Sequence, residues 1–279
     1  MADPSPSAKL LEYLNAEPLG LLAETGIARV WRVRASGRET ALKEFKDGNE
    51  RNEARAPELL MHWQSAAAVE VIDHGPGWLL MAYLPGPALG DLTRRGEDEK
   101  ASEVLARMAQ RLHRAPGPTP PALPRLADWF QALFQLDLAR LDRSIAEHFG
   151  RAVEVAQTLL ANEATPQLLH GDLHHDNILW SGSDWRVVDP KGVLGPAGFE
   201  LANAMRNPSG AEDLAARREV IARRAAVFSD ALDVTETEFL GWAAAKCALS
   251  LAWQMEDGAP AAADLQLLPK LLAAAGEMG

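Results

Sequence analysis

Between Leu168 and Gly192 the chain reads LLHGDLHHDNILWSGSDWRVVDPKG, and the spacing of three residues within it constrains the fold more than any other feature. Asp172 stands five residues before Asn177, and Asp189 follows twelve residues after that. Ile178-Leu179-Trp180 and Trp185–Val188 are short apolar runs around Ser181-Gly182-Ser183-Asp184, which is the composition of a hairpin. A hairpin returns the chain on itself. The spacing therefore predicts that Asp189 ends near Asn177 and Asp172, so that two carboxylates and an amide converge at one cluster of loops.

Such a set suits a hard, oxygen-preferring cation such as Mg²⁺, held by an Asn oxygen and a carboxylate. The remaining Asp can accept a proton from a hydroxyl nucleophile. Phosphoryl transfer needs little beyond positioning and charge neutralisation. A competing use of the segment is a transition-metal site built from His170, His174 and His175 with Asp172 and Asp176. The Asp-Asn-Asp spacing with strands between is the more specific signal.

Upstream, Ile27–Ala35 and Glu39–Phe45 are rich in branched and aromatic residues and flank the turn Ser36-Gly37-Arg38, which predicts a hairpin. Pro57–Gln64 reads as a helix, either starting at Pro57 or kinked there after a start near Glu50. Val69–Asp73 and Trp78–Tyr83 read as two further strands, and Leu84-Pro85-Gly86-Pro87 interrupts the pattern. Helical periodicity follows over Glu103–His113, over Trp129–Phe149 as one long amphipathic helix, over Val153–Leu160, and from Ala211 onward. The proline-rich stretch Pro116–Pro124 breaks this series. Strands first and helices later predict two lobes, residues 1–84 and 85–279.

HGDLHHDN resembles the H-x-D-x-x-x-x-N catalytic loop of the protein-kinase fold, with DPKG in the place of D-F-G. Gly171, where protein kinases carry Arg, is similar to the small-molecule branch of aminoglycoside, choline, fructosamine and homoserine kinases. LLHGDLHHDNILW, VVDPKG and ANAMRNPS closely resemble the aminoglycoside and hydroxyurea resistance kinases, whose best-known members are streptomycin 6-phosphotransferases. The resemblance implies an α+β, two-lobed protein-kinase-like fold. Its N-lobe is a five-stranded antiparallel β-sheet with one helix, and its C-lobe is mainly helical.

It also implies roles. Asp172 would be the catalytic base, Asn177 and Asp189 the Mg²⁺ ligands, and His170 a support for the loop, with no catalytic role for His174 or His175. A lysine on the third strand would contact the ATP phosphates. Lys43 in TALKEF is the candidate and Lys46 the weaker competitor. The lysine should pair with a helix glutamate, Glu53 or Glu58, with Glu53 preferred. LLMAYLPG resembles the strand-to-hinge passage. There Met81 would back the adenine pocket, while the Ala82 carbonyl and the Leu84 amide would bind the adenine edge. The phosphate-covering loop would be Leu22–Val30, which has only Gly26 of the usual glycines. Glu200 would tie the catalytic loop to the helical lobe.

Composition narrows the partners. The formal charge of −11 disfavours nucleic acid, whose binding depends on counterion release by basic patches. No run approaches the roughly 18 apolar residues of a membrane span, and the first residues show no signal-peptide pattern, so the expectation is a cytoplasmic protein. With one cysteine, Cys247, neither an intrachain disulfide nor a cysteine-based zinc cluster is possible. Residues 211–279 hold eleven acids against six bases, which favours a cationic acceptor. The expected reaction is transfer of the ATP γ-phosphoryl to a hydroxyl of an aminoglycoside or aminocyclitol such as streptomycin. The alternatives are a metabolite kinase for an amino-sugar or amino-alcohol, and a nucleotide-binding pseudokinase. The last would lack a catalytic residue, and none of the three is missing.

Overall fold

The structure is a computed structural model describing residues 5–48, 50–116, 123–162 and 165–277. Residues 117–122, most of the proline-rich stretch, lie outside the described residues. The order begins α1 (Ala8–Tyr13), β1 (Ala16–Glu24), β2 (Ala28–Ala35), β3 (Arg38–Phe45), α2 (Ala56–Trp63), β4 (Val71–Gly75) and β5 (Trp78–Ala82). The five strands form one antiparallel sheet, ordered β1-β2-β3-β5-β4.

Period-two alternation sorts the side chains of this sheet. Trp31, Val33, Ala35, Leu42 and Leu80 pack on one face with Leu10, Leu11 and Leu14. Ala41, Leu79 and Met81 join the main core on the other. Ala41 pairs with Met81 and Lys43 with Leu79 across β3 and β5. Lys43 therefore projects from the inner face, where it is 4% exposed.

β1 has no such alternation. It is exposed along nearly all its length, carries Pro18 and Gly20, and has two register irregularities. These are properties of an edge strand. The expected loop Leu22–Val30 is accordingly mostly strand: Leu22–Glu24 belong to β1 and Ala28–Val30 to β2, leaving only Thr25, Gly26 and Ile27 at the tip. α2 begins at Ala56 with Pro57 in its first turn, and a separate 3₁₀ turn, Arg51–Glu53, precedes it.

The chain then crosses to the helical part through a paired segment. The Gly86 N–H donates to the Trp180 carbonyl at 3.0 Å, and the Trp180 N–H to the Pro87 carbonyl at 3.0 Å. Beyond it come α3 (Gly90–Arg94), α4 (Asp98–His113), α5 (Leu126–Trp129), α6 (Gln131–Phe134), α7 (Arg143–Ala161), β6 (Gln167–Leu169), β7 (Ile178–Trp180), β8 (Trp185–Val187) and β9 (Val193–Gly195). The last four helices are α8 (Glu212–Ala215), α9 (Arg218–Leu232), α10 (Glu236–Asp257) and α11 (Ala262–Glu277). Among the described residues no helix is long and apolar enough to cross a membrane.

The single helix expected over Trp129–Phe149 is in fact broken, and the expected Val153–Leu160 helix is the second half of α7. At the break, the Asp137 carboxylate accepts a hydrogen bond from the Ala139 N–H at 3.2 Å. A short acidic side chain that bonds nearby backbone competes with the helical ladder. Buried Phe239, Trp242 and Leu249 of α10 lie in the main core, and that helix packs against α7, α9 and α11.

Candidate active site

The segment Leu168–Gly192 is built around His170, which is fully buried. Its Nε2 lies 2.9 Å from the Val188 carbonyl, and its Nδ1 accepts the Asp172 N–H at 3.2 Å. Only a neutral imidazole protonated at Nε2 satisfies both, and burial pushes its pKa down. Its carbonyl accepts the N–H groups of Lys191 and Gly192 at 3.0 and 3.1 Å, which ties the HGD and DPKG loops together. With both ring nitrogens engaged by backbone, His170 has no lone pair for a transition metal. His175 is buried, and neither of its ring nitrogens has a hydrogen-bond partner among the described residues.

Gly171 has φ +79°, and a Cβ there would lie 2.8 Å from the Trp129 ring. Glycine is required on both counts. Buried Glu200 then accepts the N–H groups of His170 and Gly171 at 3.1 and 3.3 Å and contacts His113 Nε2 at 3.1 Å. Glu200 thus ties the loop to α4, as expected.

Asp172 presents its carboxylate between two donors. Asn203 Nδ2 donates to Oδ1 at 2.7 Å, and Lys191 Nζ lies 2.8 Å from Oδ2. Burial works against its charge, but the positive groups around it, Lys191 first and Lys246 among them, together hold the carboxyl well below the usual range. Asn177 Nδ2 donates to the Asp172 carbonyl at 2.9 Å, so its Oδ1 is the atom left to act as a ligand. The Val188 N–H donates to the Asn177 carbonyl at 3.0 Å, which brings Asp189 next to Asn177. Asp189 has φ +58°, a strained backbone for a non-glycine residue. An amide oxygen from Asn177 and a carboxylate from Asp189, on neighbouring strand ends, are the donor types that Mg²⁺ prefers.

Lys43 closes the set. Its ammonium pairs with Glu53 and lies 3.0 Å from Asp189 Oδ1. Burial disfavours the charge, but Asp189 and Glu53 together raise the pKa of Lys43. Of the two glutamates weighed, Glu53 is the partner, from the 3₁₀ turn before α2, while Glu58 pairs with Arg55. Lys46 lies beyond the end of β3 and turns to the tip of the β1–β2 hairpin, donating to the Thr25 carbonyl at 2.6 Å and pairing with Glu24 at 2.8 Å.

Two cavities flank these residues. One, about 380 Å³, is lined by Val30, Ala41, Met81, Ala82 and Leu84 from the sheet and hinge and by Asp189. It is apolar and slot-like, with Met81 5% exposed at its wall. The other, about 480 Å³, opens on Asp172 and is lined by Lys191, Asn203, Arg206, Lys246 and Trp253. The acidic excess of the C-terminal region does not line it; among the described residues of its wall Asp172 is the only acid. Asn203, Lys191, Arg206 and Lys246 were not singled out as site residues. One signal is present for Lys246, a lone lysine four residues before Ser250 in the apolar middle of α10.

The chain is 35% identical over 207 residues to the Streptomycin 3''-kinase of Klebsiella pneumoniae, covering 72% of this chain and 75% of that protein. It is 30% identical over 247 residues to the Streptomycin 6-kinase of Streptomyces griseus, covering 84% and 77%. Among solved structures, a thermostable mutant of aminoglycoside phosphotransferase APH(4)-Ia, in ternary complex with ADP and hygromycin B, superposes with a TM-score of 0.69. That likeness covers 99% of this chain and 98% of that one at 16% identity, and shows a shared fold. The sequence profile of the aminoglycoside/hydroxyurea antibiotic resistance kinases matches residues 15–258. With that match and two streptomycin-kinase relatives at 30% identity or more, the chain belongs to the aminoglycoside/hydroxyurea antibiotic resistance kinase family.

Proposed function

We propose that the protein transfers the γ-phosphoryl of ATP to a hydroxyl of an aminoglycoside or aminocyclitol such as streptomycin, conferring resistance, and that it works in the cytoplasm. The observation that carries this reading is the junction of Lys43, Glu53 and Asp189 beside Asp172 and Asn177, with a cavity on either side. Residues 1–84 form the nucleotide lobe, and residues 85–279 carry the catalytic loop and the acceptor site. Adenine occupies the apolar slot, backed by Met81, with the Ala82 carbonyl and Leu84 amide at its edge. Lys43, held by Glu53, grips the non-transferred phosphates. Asn177 and Asp189 would hold Mg²⁺, which when bound neutralises charge on the phosphate oxygens.

Asp172 takes the proton of the acceptor hydroxyl. Asn203 fixes the plane of its carboxylate, and Lys191 keeps it ionised until substrate arrives. The relatives' names point to the acceptor: three are streptomycin kinases, and a fourth, 28% identical, is the Hydroxyurea phosphotransferase of Kitasatospora aureofaciens. The test is purified protein with Mg-ATP and a panel of streptomycin, other aminocyclitols, hydroxyurea and amino-alcohols. ADP release and the mass of the product are the readouts. Phosphorylated streptomycin is expected. Phosphorylation of an amino-alcohol alone would replace this reading with a metabolite kinase, and no phosphorylated product at all would overturn the enzyme reading.

A further inference from the structure

The cleft beside Asp172 contains a cation that the mechanism above does not use. Lys246, in the middle of α10, is 4% exposed, yet its ammonium faces the cleft. It donates to Ser250 Oγ at 2.7 Å and lies 5.0 Å from the centre of the Trp253 ring. Among the described residues no carboxylate approaches it within 4.0 Å.

The neighbouring charges are already committed. Arg206 pairs with Asp264, at 3.1 Å from Nε to Oδ1, and donates to Asn203 Oδ1 at 3.3 Å. Lys191 is held by Asp172. His174, in the same wall, is kept neutral by burial. Burial and the Arg206 charge push the Lys246 pKa down to about 7, against the attraction of Asp172.

A buried amine without a counter-ion costs the fold free energy. The cost is intelligible if a ligand brings the missing negative charge. A cationic acceptor does not bring it. The reaction itself does: it turns a neutral hydroxyl beside Asp172 into a phosphate monoester. The γ-phosphorus bond to the β-bridging oxygen breaks, and that oxygen leaves on ADP with the electron pair. The bond from phosphorus to the acceptor oxygen forms, and the hydroxyl proton passes to Asp172. The phosphoryl group thus crosses from the nucleotide side of Asp172 to the cleft that Lys246 lines. That cleft, about 480 Å³, brings Asp172, Lys191 and Lys246 onto one wall.

We propose that Lys246, oriented by Ser250 and assisted by Lys191, forms an oxyanion site on the acceptor side that receives the transferred phosphoryl group. The proposal rests on the phosphotransfer reading for its mechanism, but its binding site can be tested without turnover.

The experiment is calorimetric titration of inorganic phosphate into the full-length protein saturated with Mg-ADP, for the wild type and for Lys246→Met, Lys246→Arg and Ser250→Ala. Lys246→Met is expected to weaken phosphate binding about tenfold or more, the loss of one charge-assisted contact. Lys246→Arg should keep most of the affinity, and Ser250→Ala should lose a smaller part of it. A melting curve for each variant checks folding, and Ser250→Ala carries the test if Lys246→Met does not fold. Equal phosphate affinity in wild type and both Lys246→Met and Ser250→Ala, or no phosphate binding to the wild type, overturns the proposal. Phosphate binding that depends on Lys246, in a protein that phosphorylates no hydroxyl of the panel, would sink the kinase reading and leave the anion site standing.

Discussion

Lys43 and Asp189 are 146 positions apart and meet at 3.0 Å across the junction of the sheet and the helical part. One comes from the inner face of β3, the other from the left-handed turn after β8. Glu53 holds the far side of the same ammonium. This three-residue bridge couples the position of the sheet to the proposed metal site, and Lys43 and Asp189 have separable tests.

Lys43→Ala should lower kcat by about 10²-fold or more, the scale for losing one preorganised donor to developing charge. Lys46→Ala should change it only by a few-fold, because Lys46 holds the exposed Thr25 tip and not the inner face. Steady-state kinetics with saturating acceptor separate the two. A silent Lys43→Ala with a damaging Lys46→Ala would mean that the phosphates lie at the hairpin tip.

Asp189→Ala should weaken binding of Mg-ATP and leave binding of metal-free ATP nearly unchanged, since the carboxylate acts through the cation. Calorimetry in the presence of Mg²⁺ and of a chelator gives both affinities. Equal Mg-ATP affinity in variant and wild type would remove Asp189 from the ligand set.

Asp172→Asn keeps the shape of the side chain and removes the anion. Turnover should fall by roughly 10²–10⁴-fold, the usual worth of a positioned base, with little change in nucleotide affinity. Near-normal turnover in this variant would exclude Asp172 as the base.

Lys246→Met should stabilise the fold, and the gain should depend on pH. The folded pKa of Lys246 is near 7, below that of an unfolded lysine near 10.4. Between these values the unfolded chain binds the extra proton, so the contribution of this group to stability rises with pH. The penalty is complete below pH 7 and gone above about 10.4. The variant should therefore be more stable by about 1–3 kcal/mol at pH 6, with the difference closing towards pH 10. Urea midpoints across that range provide the check, and a pH-independent difference would mean that Lys246 carries no buried charge.

Glycine positions give a further contrast. Gly171→Ala should destabilise by about 1–3 kcal/mol, because the residue has φ +79° and its new Cβ would strike Trp129. Gly26→Ala should be close to neutral in stability, since a Cβ there meets nothing within 4 Å and no left-handed φ is needed. Thermal unfolding of both variants measures the difference, and equal effects would show that the backbone at Gly171 can relax.

Local pattern was enough for the elements that are amphipathic and short-ranged. The alternation in β2 and β3 announced both strands and placed Lys43 on one face, and the hairpin around Ser181 explained why Asp189 returns to Asn177. The edge strand β1 was not legible, because an exposed strand with Pro18 and Gly20 has no buried face to leave a period in its sequence. The break between α6 and α7 was also missed. Apolar residues continue there at helical spacing, while the bond from Ala139 to Asp137 and the extended backbone at Leu141 mark where the chain leaves the helix.

The amino-acid order by itself determined that Asp172, Asn177 and Asp189, the proposed base and metal ligands, come together, because they lie within one short segment whose hairpin is a local structure. Tertiary packing decided what surrounds them. The choice of Glu53 over Glu58 depends on how a 3₁₀ turn presents its side chain to a strand. The lining of the cleft beside Asp172 depends on α10 packing against the turn that carries Asn203, which brings Lys246 and Trp253 to Asp172 from far along the chain. Net charge is a sum over the whole molecule, whereas the charge of a cleft depends on which few side chains the fold turns inward. An acidic protein can therefore place lysines and an arginine around Asp172, the one acid that lines this cleft among the described residues.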